Sequence, residues 1–252
     1  MSVHTLASLA LAATLSGVAA SACAQGKPMD DAALSDTWGQ ALLDLTNTSQ
    51  GGYDFSRITL NADITMSSSL KGLVLGTHAD GTSDINISTL NFGRSDASEA
   101  QRTVAIANPY FEWVYSGTVA GGDRQVVGMR LGFGGISGDV GLMMNTVSGA
   151  LTINTPSGAM SSLGSQQTAL TGCSGACTTA LNQIGGVTAG TVDGPSRDFF
   201  LSILKAAVTY PTTSGLPAPA TAQAGFWMNW TDRLNALNTT GSVPPNVPKI
   251  GP

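Results

Sequence analysis

The sequence predicts a mainly β protein, and three observations lead to that prediction. Apolar and polar residues alternate with a period of two over many segments, the turns between them are rich in Gly and Asp, and charged residues are scarce. The chain of 252 residues contains 31 Gly, only 11% of its residues are charged, and 14 of its 16 acidic residues are Asp. Asp and Gly favour turns whereas Glu and Lys favour helix surfaces, so this composition favours strands.

The alternation defines the central part of the chain. Along residues 58–66 every second side chain is apolar and those between are polar, which is the pattern of a half-buried strand. Because the pattern recurs as far as residue 153, we predict about eight to ten strands between residues 55 and 155. Turn residues stand at Ala79–Thr82, Ala120–Asp123 and Ser137–Asp139. Short links without helical patterns favour an antiparallel sandwich or rolled sheet, and a β-solenoid-like arrangement is an alternative.

The first 24 residues have the pattern of a cleavable secretory signal peptide. An apolar stretch from Leu6 to Ala20 precedes small residues that suit signal peptidase, so cleavage is expected between Ala24 and Gln25. The apolar stretch is about 15 residues long, short of the ~20 needed to span a bilayer. Lipidation of Cys23 is the alternative. The mature chain is therefore expected in the periplasm, on the outer membrane surface or outside the cell, with no transmembrane helix.

Cleavage after Ala24 removes Cys23 and leaves Cys173 and Cys177 as an even pair. Paired cysteines in an oxidising compartment are expected to form a disulfide. The loop that this bridge closes is short and removes little chain entropy, so the bridge would staple a local turn.

The segments at the two ends of the mature chain differ from the central pattern. Residues 29–45 form a compact unit whose Asp30 or Asp31 can cap a short helix. Apolar residues at helical spacing follow Ser196 as far as residue 209 and predict a second helix. We therefore predict a signal peptide (1–24), a β-rich domain (25–155), a Ser/Gly-rich excursion with the disulfide and C-terminal helices on the same domain (156–237), and an extended tail (238–252).

Charge and residue usage bear on the class of function. A net charge of −5 without a basic run argues against nucleic acid and anionic membranes as partners. His78 is the single His of the mature chain, so no zinc-ligand set is present, although Asp80, Asp84 and Asn86 offer oxygen ligands close together in sequence. The chain has no Gly-x-Ser-x-Gly elbow. We predict a protein without cofactor, metal or catalytic residues, hence not an enzyme.

Aromatic residues are the best candidates for contacts with a ligand or a partner. They concentrate on one predicted strand and return near the C-terminus, at Tyr110, Trp113, Tyr115, Trp227 and Trp230. Aromatic side chains on a strand can stack against sugars or bury against another protein.

One motif connects the chain to known proteins. Asp31, Leu34, Ser35, Gly39, Gln40 and Ala41 form an Asp-x-x-Leu-Ser-x-x-x-Gly-Gln-Ala pattern. It resembles the motif that follows the signal peptide in an uncharacterised family of Gram-negative envelope proteins, some of which accompany Fil-type predicted pilus or filament systems. The resemblance continues through the strands to about Ile153 and includes the Asn91-Phe92-Gly93-Arg94 element. It implies an envelope location and no catalytic residues.

These observations favour an exported, non-enzymatic envelope or surface protein with a structural or adhesion role, as a component of a pilus-like assembly. Its partners would be envelope or filament proteins, or further copies of itself. Two alternatives are a periplasmic or surface module that binds a glycan or small ligand, and a secreted hydrolase with an unrecognised carboxylate site. Clustering of Trp113, Trp227 and Trp230 in one cleft would favour ligand binding, whereas an open strand edge or a long flat face would favour assembly.

Overall fold

Strands dominate the structure, as the alternation predicts. The computed structural model describes residues 42–117, 124–172 and 175–247, all of which belong to the unit Ala41–Pro252. The signal peptide, its cleavage site Ala24/Gln25, the motif from Asp31 to Ala41 and the turn at 120–123 lie outside the described residues. Within the described part, no helix has the length and apolarity that crossing a bilayer requires.

Within the described residues, fourteen strands form one mainly antiparallel sheet. Their bounds are β1 Leu43–Gln50, β2 Tyr53–Leu60, β3 Asp63–Met66, β4 Ser68–Thr77, β5 Ser83–Phe92, β6 Val104–Ser116, β7 Gln125–Thr155, β8 Gly158–Gln167, β9 Ala169–Gly172, β10 Cys177–Ala180, β11 Gly186–Ala189, β12 Phe200–Leu204, β13 Gly225–Trp230 and β14 Leu234–Ala236. Short 3-10 helices span Glu99–Arg102 and Leu181–Gln183. The predicted fold class, a mainly β sandwich or rolled sheet, is confirmed, and the antiparallel ladders argue against the solenoid alternative.

The longest strand, β7, organises the sheet. It runs for 31 residues and pairs with seven other strands. Near its start β7 lies between β6 and β12, and near its end between β8 and β13. Since β12 also pairs with β13, this small ladder connects the two halves of β7. The middle of β7 is buried on both faces, which is typical of a strand enclosed between layers.

Several predicted elements differ from the structure. The described residues between 53 and 155 form six strands, fewer than predicted, because the predicted turn Ser137–Asp139 lies inside β7. The Ser/Gly-rich excursion forms β8, β9, β10 and β11, and the predicted helix after Ser196 is β12 with its flanking loops. The C-terminal segment from Gly225 is also strand, so the C-terminal helices predicted within 196–237 are wrong. By contrast, the turn at Ala79–Thr82 is present between β4 and β5.

In the described part of the chain, two apolar clusters make up the core. The larger one surrounds the middle of β7 and includes Ile136, Met144 and Trp230. The smaller one lies between β2, β6, β12 and β13 and includes Phe55 and Trp227. The predicted extended tail has no regular structure over its described residues and lies on the sheet, since Asn246 Nδ2 donates to the carbonyl of Phe92 at 2.7 Å.

Candidate functional site

A row of polar residues crosses the inner face of the sheet. The strand register places Arg57 of β2 opposite Glu112 of β6, Glu112 opposite Arg130 of β7, and Arg130 opposite Ser202 of β12. Residues directly opposite each other point to the same face of a sheet. Register alone therefore brings two guanidinium groups to one carboxylate. We use the name arginine cluster for Arg57, Glu112 and Arg130.

Glu112 is shared between the two arginines. Arg130 Nε donates to Glu112 Oε1 at 2.6 Å and Arg57 Nε donates to Oε2 at 2.8 Å. Glu112 and Arg130 are only 2% and 4% exposed. Charges so deeply buried are stable only when paired, so each member of this cluster depends on the others.

Aromatic rings enclose the buried cluster. The Cζ atom of Arg130 lies 3.9 Å from the centroid of the Tyr210 ring, and that of Arg57 lies 4.1 Å from the centroid of Tyr110. These distances are those of cation–π contacts. Burial raises the pKa of Tyr110 and of Tyr210. Although burial opposes the charge of Arg130, its interactions with Tyr110 and Glu112 raise the pKa of the guanidinium above its ordinary value.

Glycine at position 132 allows one of these rings to lie close to the sheet. Tyr110, Gly132 and Phe200 are opposite one another on β6, β7 and β12. A Cβ atom at position 132 would come within 2.4 Å of the Tyr110 ring, a distance that no packed side chain tolerates. The Gly-rich start of β7 thus serves close packing inside a strand.

A pocket of about 290 Å³ opens beside the arginine cluster. Tyr110, Arg130, Arg197 and Ser162 are among the polar residues that line it, and a Pro-rich loop of residues 211–220 contributes one wall. Hydrogen bonds between Val208 and Ala222, both 2.9 Å, pin the two ends of that loop together.

Asp198 fixes the side of the pocket next to Arg197. Its carboxylate accepts hydrogen bonds from the N–H groups of Thr231 and Asp232 at 2.8 and 3.0 Å, and from Asn229 Nδ2 at 3.1 Å. The hydroxyl of Thr231 donates to it as well. These donors satisfy the carboxylate locally, so Asp198 holds the β12 and β13 segments together.

The predicted aromatic contact residues are divided between different environments. Trp227 and Trp230 are buried in the two apolar clusters, Tyr110 lines the pocket, and Trp113 and Tyr115 lie half-buried on the opposite face of β6. Trp230 Nε1 donates to Ser196 Oγ at 2.9 Å. The structure therefore gives no exposed cleft shared by Trp113, Trp227 and Trp230, which was the arrangement expected of a glycan-binding site.

Asp84 connects His78 and Ser148 through hydrogen bonds. His78 Nε2 lies 3.0 Å from Asp84 Oδ1, which in turn accepts a hydrogen bond from Ser148 Oγ at 3.3 Å. The carboxylate thus lies between Ser and His, whereas a catalytic triad needs the Ser hydroxyl next to the His. Asp80 accepts from the hydroxyl and N–H of Thr82, which lower its pKa. In the described part of the chain, no three His, Cys, Asp or Glu side chains are grouped to hold a metal ion.

An apolar surface covers the other side of the same sheet. Leu45, Ile58, Phe111 and Leu131 form a continuous cross-strand row over β1, β2, β6 and β7. Leu45 is 70% exposed and Leu131 is 49% exposed. We use the name outer apolar face for the residues that share this side, namely Leu43, Leu45, Ile58, Leu60, Phe111, Trp113, Met129 and Leu131.

The outer apolar face has a charged border at one end. Asp54 and Tyr115 are opposite each other beyond Ser56 and Trp113. Arg124 Nε lies 3.8 Å from Asp54 Oδ2, and Arg124 Cζ lies 3.9 Å from the centroid of the Tyr115 ring. An apolar centre with a polar rim is the usual anatomy of a protein–protein interface.

Sequence reasoning missed the arginine cluster and the pocket. The signal was the position of Glu112 between Phe111 and Trp113, because an acid inside an aromatic strand needs a buried partner. The partners Arg57 and Arg130 could not be assigned without the strand register. Cys173 lies outside the described residues, so the disulfide with Cys177 stays a prediction. No family model, curated protein or solved structure matches the chain.

The raised pKa values of Tyr110 and Tyr210 predict loss of stability at alkaline pH. The folded state holds both phenolic protons more tightly than the unfolded chain, so the resulting stability is present below the ordinary pKa of 10.0 and is lost as the pH rises above it. Urea unfolding between pH 8 and 11 should show this decline, and the Tyr110→Phe/Tyr210→Phe variant should show a shallower one. If stability declined equally with pH in the wild type and the variant, the assignment of this decline to Tyr110 and Tyr210 would be wrong.

Proposed function

We propose that this protein is an exported, non-enzymatic component of a bacterial envelope or surface assembly, and that it associates through its outer apolar face. The observation that carries the proposal is the unbroken apolar row from β1 to β7, two of whose members are about half exposed or more. Soluble monomers rarely expose large contiguous apolar patches, and such patches commonly mark interaction sites.

The occupant that we propose for this face is a second copy of the chain. The rows of the face carry no charged side chain, and its border offers one base and one acid, Arg124 and Asp54. Such a face is neutral and self-complementary although the whole chain carries a net charge of −5. Two sheets that pack face to face lie ~10 Å apart, with their side chains interdigitated.

The edge strands of the sheet provide a second surface for association between molecules. Among the described residues, β1 pairs only with β2, and β10 pairs only with β9. An edge of this kind can accept a strand from another molecule by main-chain hydrogen bonding. Edge pairing would extend a dimer formed by the outer apolar face into a longer assembly.

The Leu131→Asp substitution is expected to prevent self-association. It places a charge on the β7 side of the outer apolar face, where a second sheet would have to desolvate it. Sedimentation equilibrium of the mature chain, residues 25–252, should show a concentration-dependent dimer for the wild-type protein and at least about tenfold weaker association for the variant.

A matched control separates this effect from a general effect of added charge. Val192 is fully exposed and lies outside the outer apolar face, so Val192→Asp should associate as the wild type does. A wild-type chain that stays monomeric at all concentrations, or equal association of Leu131→Asp and wild type, would overturn the proposal. Electron microscopy of producing cells adds a cellular test, because deletion of the gene should alter a surface structure.

A further inference from the structure

The pocket beside the arginine cluster has a polar group that the fold leaves unused. Arg197 lines the pocket, and within the described residues its Nε atom has no hydrogen-bond partner although it is buried. Buried donors are nearly always satisfied in native proteins, so this one indicates a missing partner that can accept a hydrogen bond.

The charge around the pocket favours a single negative charge on that partner. Arg57, Arg130 and Arg197 supply three positive charges, whereas Glu112 and Asp198 supply two negative ones. The nearby Asp232 and Arg233 balance each other at 3.7 Å. Because the donors around Asp198 already satisfy its carboxylate, Arg197 retains a guanidinium that forms no ion pair among the described residues.

Part of the remaining lining is apolar and fits a short hydrocarbon body. Phe200, Leu163, Leu216 and Pro217 are part of it. The loop that carries Leu216 and Pro217 passes close to Arg197, since a Cβ atom on Gly215 would lie 3.6 Å from Arg197 Nη2. Small-ligand sites combine such apolar walls with a few converging polar groups.

We propose that this pocket binds a small monocarboxylate with a short apolar body. The guanidinium of Arg197 faces the carboxylate, whose planar shape suits the guanidinium fork. The hydrocarbon part lies against Phe200 and Leu163. A dianion such as phosphate is disfavoured, because the surroundings carry only one unbalanced positive charge.

Titration of the mature chain with sodium butanoate, followed by NMR chemical shifts, tests this site. Butanoate should saturate one site with a Kd of about 1 mM or tighter. The neutral butan-1-ol and inorganic phosphate should each bind at least about tenfold more weakly. Arg197→Gln should weaken butanoate binding about tenfold or more, and Arg197→Lys should weaken it less.

The controls keep this test independent of folding and of the proposed assembly. Arg102→Gln removes an arginine whose Nε lies 3.1 Å from Glu99 away from this pocket, and it should bind butanoate as the wild type does. Leu131→Asp, on the opposite face of the sheet, should do the same, so the two proposals can fail separately. Absence of saturable butanoate binding, tighter binding of phosphate, or equal binding by Arg197→Gln and Arg197→Lys with wild-type spectra would overturn the inference.

Discussion

Replacing Glu112 by Gln is expected to lower the free energy of unfolding by about 3–5 kcal/mol, one of the two largest effects that the structure predicts. The substitution keeps the size of the side chain but removes the negative charge between Arg130 and Arg57. Arg130 is 4% exposed and cannot turn its charge towards water. Urea or thermal unfolding of the mature chain measures the loss.

A matched substitution and a double variant separate loss of the ion pair from loss of a carboxylate in general. Glu99 is 72% exposed in its contact with Arg102, so Glu99→Gln should change stability by less than about 0.5 kcal/mol. The combination Glu112→Leu/Arg130→Leu removes both buried charges and should be more stable than Glu112→Leu alone. Equal stability of Glu112→Gln and the wild type would show that the cluster is not the buried ion pair described above.

Two tryptophans that the sequence places in the same class should respond differently to truncation. Trp230 is 3% exposed, stacks edge-on against Phe199 with ring centroids 5.1 Å apart, and hydrogen-bonds Ser196. Trp230→Ala should therefore lower the free energy of unfolding by about 3–5 kcal/mol. Trp113 is half-buried on the outer apolar face, and Trp113→Ala should cost less than about 2 kcal/mol of stability but weaken self-association.

Chemical unfolding together with sedimentation of both tryptophan variants checks this pair of expectations. If Trp230→Ala kept wild-type stability, the larger apolar cluster would be misassigned. If Trp113→Ala associated as strongly as the wild type, Trp113 would not be part of the contact between two copies of the chain.

The fold class could be predicted from the sequence, because the alternation of apolar and polar residues and the turn preferences of Gly and Asp are local properties. Whether a short apolar segment forms a helix or a strand could not be predicted in the same way. Phe199, Phe200, Ile203 and Leu204 fit helical spacing, yet β12 is a strand whose two faces both meet apolar neighbours. A short apolar run of this kind has no period that distinguishes helix from strand. The packing of β12 between β7 and β13 decides it.

The glycines of β7 and the arginine cluster show a second reason why parts of the structure could not be predicted from the sequence. Gly138 looks like a turn residue, but long-range pairing with β11 and β6 keeps its segment in one strand. Likewise, Glu112 meets Arg57 and Arg130 only in the observed register, and a shift by one residue would send its side chain to the other face. The candidate site thus depends on contacts between residues far apart in the chain, which composition and spacing do not specify.

Association through the outer apolar face is the central claim, and oxidative footprinting of the mature chain at low and high protein concentration tests it most directly. Trp113 and Met129 lie on that face, whereas Met143 lies half-exposed elsewhere on β7 and serves as the internal reference. Oxidation of a Met thioether depends on its exposure. We expect oxidation of Trp113 and Met129 to fall at high concentration while that of Met143 stays constant. Unchanged oxidation of Trp113 and Met129 at a concentration where the protein is dimeric would contradict the account.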